Sequence, residues 1–354
     1  MHMADALLSP AVGLSLWAVS AAAIAYASRR VSEQFDERKV PLMGVLGAFL
    51  FTAQMINFSI PGTGSSGHLG GGLLLAIMLG PHAALLCMAS VLLVQALFFA
   101  DGGLLALGCN LFNLAFLPAF VAYPLVYRPL AAEPSSAARR SLATLVAAVV
   151  GLQLGSLAVV LETMLSGRSA LPFATFAFFM QPIHLLIGIG EGLITAALLA
   201  FIRQARPDML QATRTAPEQR PLRGMLALLL GAALLSGGLL AGFASNEPDG
   251  LEWSIARASG HDASAPSDDS THRALAALQD QTALLPGYAF RTPPALAVGG
   301  ANDRKDPPPA SNKAKADEPG SLGSSVAGIV GGLITLALAL LIGVLLKRGG
   351  RSAQ

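Results

Sequence analysis

Long apolar runs separated by short polar segments dominate the chain. A helix needs about 20 predominantly apolar residues to cross the hydrocarbon core of a bilayer. Runs of that length predict seven membrane spans, at 6–28, 40–58, 103–127, 141–165, 174–202, 223–244 and 324–346. A further apolar run, 69–100, is divided by Gly80-Pro81 and is interpreted as a helical hairpin. The first run has no Lys or Arg before it and is predicted to be a retained span, not a cleaved signal.

The positions of Lys and Arg predict the orientation of these spans. They cluster in four polar segments, at 29–39, 128–140, 203–223 and the carboxyl-terminal tail. Such segments remain on the cytoplasmic side of a membrane. Residue 59 is then outside and residue 128 inside, so an odd number of crossings must separate them. The hairpin followed by the span at 103–127 gives three. The pattern predicts an all-α bundle of about nine transmembrane spans in the cell membrane, with an extracytoplasmic amino terminus and a cytoplasmic carboxyl terminus.

The segment 245–323 breaks the apolar pattern and is predicted to be an extracytoplasmic loop domain. Parts of it, around 248–253 and 271–285, are predicted to fold, whereas 291–322 has the composition of a flexible tether. These boundaries divide the chain into a membrane domain at 1–205, a cytoplasmic linker at 206–222, a two-span domain at 223–346 that encloses the loop, and a cytoplasmic tail at 347–354.

Composition narrows the function classes. The chain is 53% hydrophobic and only 12% charged, with a mean hydropathy of +0.59, whereas soluble proteins carry roughly twice that charge. Cys87 and Cys109 both lie in apolar runs, so neither a disulfide nor a thiolate metal site is indicated. The chain has no basic stripe that would indicate nucleic-acid binding. It also has no GxxxxGK[ST] motif, so any ATP hydrolysis would require separate subunits.

The opening dipeptide, Met1-His2, is a candidate metal chelate. The α-amine, the amide nitrogen of residue 2 and the imidazole of residue 2 can close two fused rings around one cation, leaving one corner of a square plane open. An all-nitrogen site of this kind suits Ni²⁺, Co²⁺ or Cu²⁺. The alternative is that His2 is only a polar residue at a frayed terminus.

A Gly-rich loop at 57–72 contains a second candidate ligand, His68. Non-helical backbone at membrane depth persists only where it is buried in protein or lines a cavity. The predicted topology puts His68 on the same outer side as His2, so His68 is predicted to supply the fourth nitrogen. The alternative is a loop residue that bonds only to backbone.

Other polar residues in apolar runs are more ambiguous. His184, Gly188 and Glu191 share one helix face, which is open to three interpretations: support for a metal site, a proton path, or a packing pair. Packing or support is favoured over direct ligation. Interhelical hydrogen bonds are the favoured interpretation for Gln95, Asp101, Asn110 and Asn113.

Six collinear motifs within residues 1–205 resemble the CbiM/NikM family, the substrate-binding S components of energy-coupling factor transporters for cobalt and nickel. The motifs are Met1-His2, Gly64 to Gly72, Leu79-Gly80-Pro81, Gln95 to Gly103, Leu107 to Asn113 and His184 to Thr195. The two later spans and the sequence Pro248-Asp-Gly-Leu-Glu252 resemble the small CbiN/NikN partner, or PDGLE domain. The chain therefore resembles a fusion of the two.

The resemblance implies a set of site residues and partners. It implies that Met1, His2 and His68 hold Co²⁺ or Ni²⁺ as cargo, with no cofactor, and that Asp5, Ser66, His184 and Glu191 are candidates for supporting them. It also implies a transmembrane T component and cytoplasmic ATPases as partners in the lipid membrane. The family's common opening Met-His-Ile-Pro-Asp-Gly is Met-His-Met-Ala-Asp-Ala here, which puts in doubt how the terminus bends inward.

Two other functions remain open on sequence alone. Gly64-Ser65-Ser66-Gly67 is similar to the nucleophile loop of rhomboid-type intramembrane proteases, with His184 as the candidate base. A metal channel or carrier that works without ATPases is the second alternative.

Overall fold

The computed structural model describes residues 2–169, 171–205, 223–259, 269–291 and 322–351, which are mostly helical. Met1, the predicted linker at 206–222 and most of the predicted tether lie outside the described residues. The helices are α1 Pro10–Glu33, α2 Lys39–Gln54, α3 Gly72–Leu79, α4 Pro81–Phe99, α5 Leu107–Leu130, α6 Ala137–Ser166, α7 Phe173–Ala205, α8 Arg223–Gly238, α9 Gly250–Ser259, α10 Ser270–Thr282 and α11 Leu322–Arg351. Two short antiparallel strands, β1 Phe58–Ile60 and β2 Ser65–Gly67, pair with Ser59 opposite Ser66.

The helices agree with a multi-pass membrane protein but differ from the predicted span count. Among the described residues, six helices are long and apolar enough to cross a membrane: α1, α4, α5, α6, α7 and α11. Helices α2 and α8 have 16 residues each. The first arm of the predicted hairpin is only the eight-residue α3, because the Gly-rich segment before it is an extended loop, not helix. The nine-span topology and its orientation therefore remain predictions.

Helix packing brings the later helices onto the earlier ones. Helices α6 and α7 pack along each other, and α11 packs against α2, α4 and α8. Helix α5 continues as a π-helix over Phe112–Tyr127, a stretch that contains two prolines, Pro118 and Pro124. Large apolar side chains such as Leu125 and Leu165 are exposed on the outer faces, as expected for surfaces that contact lipid.

The amino-terminal segment lies inside the protein instead of fraying. Met3 and Leu8 are fully buried. The Met3 backbone N–H donates to Asn110 Oδ1 at 2.8 Å, and its carbonyl accepts from Gly103 N–H at 2.9 Å. Asp5 Oδ1 accepts from the Ala106 N–H at 2.9 Å. A Cβ on Gly103 would lie 1.8 Å from that carboxylate oxygen, so only glycine permits this close approach.

The segment between α8 and α9 adds an edge to the Gly-rich loop. Ser66 forms a parallel bridge with Asp249, and its N–H donates to the Pro248 carbonyl at 2.8 Å. At the two ends of this contact, Ser245 N–H donates to Asn57 O at 2.8 Å, and Trp253 Nε1 donates to Thr63 O at 3.0 Å. We call residues 245–253 the docking segment.

Helix α10 contacts the amino-terminal segment from the same side. His272 Nε2 lies 3.0 Å from the carbonyl oxygens of both Asp5 and Leu8. Gln279 Nε2 donates to the carbonyls of Ala96 and Gly102 at 2.8 Å each. Both stretches predicted to fold within 245–323 thus hold helices that contact the first 103 residues.

Candidate metal site

The two imidazoles predicted as ligands lie against each other. The rings of His2 and His68 are stacked, with centroids 5.1 Å apart and planes 12° from parallel. His2 Nε2 is buried without a hydrogen-bond partner among the described residues, while its Nδ1 lies 3.6 Å from Asp101 Oδ1. His68 Nδ1 lies 3.1 Å from the Leu69 carbonyl oxygen. Residues 66 positions apart in sequence are thus adjacent in space, as the square-planar hypothesis requires.

Burial controls the ionisation of this pair. It lowers the pKa of His2 below its ordinary value and lowers the pKa of His68 to about 3, because desolvation disfavours the charged imidazolium. Burial alone would raise the pKa of Asp101, but the nearby His2 ring and the Tyr288 hydroxyl, which donates to Asp101 Oδ2 at 2.5 Å, lower it. Both imidazoles are therefore neutral at pH 7, the form that binds metal ions.

A small cavity adjoins His68 and is lined in part by the docking segment. It has a volume of about 10 Å³ and is lined by Gly67, His68, Leu114, Leu152, His184, Ile187, Asp249 and Gly250. A cavity of that size is close to the minimum that holds one water molecule. His184 therefore lines the same cavity as His68, whereas its place within an apolar run suggested a position deeper in the bilayer, with a packing or supporting role.

His184 faces this cavity with an unused nitrogen. Its Nδ1 lies 2.8 Å from the Met180 carbonyl, which fixes the ring, and its Nε2 is buried without a partner among the described residues. A Cβ on Gly250 would lie 3.0 Å from His184 Cε1 and 2.8 Å from Ile187 Cδ1. Glycine at position 250 is thus what lets the docking segment reach the imidazole.

Glu191 holds the backbone that follows His68. Its two carboxylate oxygens accept from Gly70 N–H at 3.1 Å and Gly71 N–H at 2.9 Å. On the other side of the loop, Gln54 Nε2 donates to the Gly70 carbonyl at 2.8 Å, and Gln95 Nε2 donates to Gln54 Oε1 at 2.9 Å. A loop with few side chains of its own is therefore positioned by polar groups from α2, α4 and α7.

Replacing Glu191 by glutamine is expected to loosen this loop and weaken metal binding. The amide has only one acceptor oxygen, so its NH₂ would face a backbone N–H, and a buried unsatisfied donor costs about 1–3 kcal/mol. We expect a lower unfolding temperature in detergent and weaker Co²⁺ or Ni²⁺ binding by calorimetry. Glu133→Gln, at an exposed position, is the matched control. Equal metal affinity in the two variants would contradict this role.

Asp5 and Ser66 contact backbone rather than the imidazoles. Asp5 bonds to Ala106 as described above, and the Ser66 hydroxyl donates to the Glu247 carbonyl at 2.7 Å. The described residues contain no group of three or more His, Cys, Asp or Glu side chains arranged to hold a metal. Met1, the third predicted ligand, lies outside the described residues.

Two acids near the site, the half-buried Asp249 and the buried Glu162, were not singled out from sequence. Asp249 lines the cavity, and its Oδ1 accepts from the N–H groups of Leu251 and Glu252 at 2.9 Å each, which starts helix α9. Glu162 lies in α6 and accepts from Asn113 Nδ2 at 2.8 Å. A lone acid in an apolar run is itself a signal of function, and Glu162 has that signal.

Comparison with known proteins identifies the family of each part of the chain. Residues 2–209 match the family described as the cobalt uptake substrate-specific transmembrane region, CbiM. Residues 223–348 match the PDGLE domain.

Individual relatives include nickel and cobalt proteins. The chain is 35% identical over 267 residues to the "Probable fused nickel transport protein LarMN" of Lactiplantibacillus plantarum, which covers 72% of this chain and 78% of that one. It is 33% identical over 235 residues to the "Cobalt transport protein CbiM" of Sorangium cellulosum, covering 61% of this chain and 99% of that protein.

A crystal structure described as that of a truncated transition metal transporter superposes with a TM-score of 0.51. It is 33% identical in sequence, and the match covers 58% of this chain and 99% of that one. The chain is therefore a multi-pass membrane protein of the CbiM metal-transport family, with a PDGLE domain on the same polypeptide.

Proposed function

We propose that the chain is the substrate-binding membrane subunit of an ATP-driven energy-coupling factor importer for Co²⁺ or Ni²⁺. The observation that carries this proposal is the buried, stacked pair of His2 and His68 beneath the docking segment. The ion would enter from the extracytoplasmic side, where the amino terminus, the Gly-rich loop and the docking segment meet. The carboxyl terminus would be cytoplasmic.

The proposed ligands are all nitrogens. The amine of Met1, the amide nitrogen and imidazole of His2 and the imidazole of His68 would form a square plane. Late first-row divalent ions favour such a set, whereas Mg²⁺ and Ca²⁺ require oxygen ligands. The relatives include both a nickel and a cobalt transport protein, and an all-nitrogen plane accepts either ion, so the metal content of the purified protein is the measurement that distinguishes them.

The docking segment is proposed to open or load the site. It bonds to the loop at Asn57, Thr63 and Ser66, before His68, and lines the cavity through Asp249 and Gly250. Helix α10 bonds to the carbonyls of the amino-terminal segment. A shift of the PDGLE domain would therefore act on the amino-terminal segment and on the Gly-rich loop at once. Contacts that differ between two conformations favour one of them over the other.

Uptake is expected to depend strictly on a T component and ATPases. Cells that express this chain alone should accumulate no more ⁵⁷Co²⁺ or ⁶³Ni²⁺ than empty cells, and co-expression with a T component and ATPases should restore uptake. The chain alone should still bind the ion, as measured on purified protein. Uptake by the chain alone would overturn the proposal and favour the ATPase-independent carrier.

The hydroxyl of Ser66 offers a test against the protease alternative. It donates to the Glu247 carbonyl, and no described hydrogen bond joins it to a histidine. Ser66→Ala should therefore retain most metal uptake, because one neutral hydrogen bond contributes only about 0.5–1.5 kcal/mol. Complete loss of a peptide-cleaving activity in this variant, with uptake unchanged, would favour the protease.

A further inference from the structure

Four buried side chains with donor atoms for transition metals meet beside His2. We call Met3, Cys109, Asn113 and Glu162 the Met3 cluster. They are 0%, 0%, 1% and 5% exposed, respectively. Asn113 Nδ2 lies 2.8 Å from Glu162 Oε2 and 3.9 Å from Met3 Sδ, and Cys109 lies four residues before Asn113 on the same helix, α5. None of these side chains belongs to the proposed nitrogen site.

The cluster contains oxygen atoms that the fold does not satisfy. Asn113 Oδ1 and Glu162 Oε1 are buried and have no hydrogen-bond partner among the described residues. A buried acceptor left without a donor costs about 1–3 kcal/mol, and a carboxylate inside a membrane segment needs a partner of opposite charge or a proton. A bound cation would satisfy both oxygens at once.

We propose that the Met3 cluster is a second binding position for the transported ion, occupied after it leaves His2 and His68. Thioether and thiolate sulfur favour late first-row metals over Mg²⁺ and Ca²⁺. Binding would release the Cys109 proton to a water molecule that the ion sheds. The thiolate and the carboxylate would then balance the two positive charges, which lowers the cost of burying the ion.

Met3 connects the two positions. It directly follows His2, and its backbone is fixed by Asn110 and Gly103, so its thioether reaches the cluster while the preceding imidazole lies against His68. The sequence alone indicated no thiolate site. The inference rests on the proposed transport of Co²⁺ or Ni²⁺, but not on which atoms bind the ion at the site of His2 and His68.

Thiolate bound to Co²⁺ has a near-ultraviolet charge-transfer band that nitrogen ligands do not produce. The purified full chain, titrated with Co²⁺ beyond saturation of its first site, is expected to develop this band. Cys109→Ser and Cys109→Ala should each abolish it. Cys87→Ser is the matched control, because Cys87 is equally buried but donates to the Met43 carbonyl at 3.3 Å, and it should keep the band.

A second variant separates this inference from the proposed function. His68→Ala should lose the outer site yet keep the sulfur band at high Co²⁺, and Glu162→Gln should lose the band yet keep outer-site binding. Absence of the band in the wild-type chain at saturating Co²⁺ would overturn the second position and leave the outer site intact. A band that persists in both Cys109 variants would overturn it as well.

Discussion

His68→Ala is expected to abolish high-affinity binding of Co²⁺ and Ni²⁺. Substitutions that only support a metal ligand cost about 10–100-fold in affinity, so removal of a proposed ligand should cost at least about 100-fold. Calorimetric titration of the purified chain measures this directly. His82→Ala is the matched control, since His82 packs against the rings of Tyr26 and Phe120, away from the site.

An added residue before Met1 should have an effect as large as loss of His68. It converts the amine into an amide and displaces the chelate that includes His2. Metal affinity should be measured for a chain with one extra amino-terminal residue, and again after a protease has removed that residue. The two samples then differ in nothing else. Unchanged affinity in the extended chain would refute the amine as a ligand, whereas unchanged affinity in His68→Ala would refute the imidazole.

Gly250→Val is expected to reduce metal uptake about tenfold or more while reducing equilibrium binding far less. The new side chain would meet His184 and Ile187, whose atoms lie 3.0 Å and 2.8 Å from the position of its Cβ. Overpacking of this kind costs about 1–3 kcal/mol, and 1.4 kcal/mol is about tenfold in an equilibrium. We expect the docking segment to be displaced, because the Met180 carbonyl holds the His184 ring in place.

The control for this variant is Gly231→Val in α8. A Cβ at position 231 meets nothing within 4 Å, so uptake should be unchanged. Deletion of 245–323 should give the same separation of uptake from binding in a more severe form. If Gly250→Val transports normally, the docking segment does not load the site.

Most helix positions follow from the hydrophobic pattern, but their ends do not. The run at 141–165 corresponds to α6 at Ala137–Ser166, and the run at 174–202 corresponds to α7 at Phe173–Ala205. Charged residues end an apolar run without ending a helix. Helix α1, for example, continues past Arg29 to Glu33. These two residues form an ion pair across one helical turn, with 2.8 Å between Arg29 Nε and Glu33 Oε1.

Hydropathy does not distinguish a helix that is buried in protein from a helix that crosses lipid, because both are almost wholly apolar. Helix α3 is almost wholly apolar, yet it has eight residues and lies among other helices. The first arm of the predicted hairpin, 69–80, was long enough for a full span only if its helix began within the Gly-rich segment. In the structure those residues form a loop, and Glu191 and Gln54 bond to its backbone groups.

The candidate site was predictable in part from local signals. Met-His at the terminus and a lone His in a Gly-rich loop indicated the pair that the structure brings together. The contacts of Asn110 with Met3 and of His184 with the cavity join residues far apart in sequence. A local sequence pattern does not show which residues distant in sequence come into contact. Asn110 and His184 were therefore assigned to helix packing or to a supporting role.

The docking segment contacts the Gly-rich loop over a short stretch, residues 245–253. Two separate proteins would need a much larger interface to remain associated through such a contact. Here both sides belong to one polypeptide, and a tethered segment meets its target at an effective concentration on the order of millimolar. If the segment detaches during transport, as proposed, the covalent link returns it to the same loop, and each copy of the metal-binding helices always has its own partner.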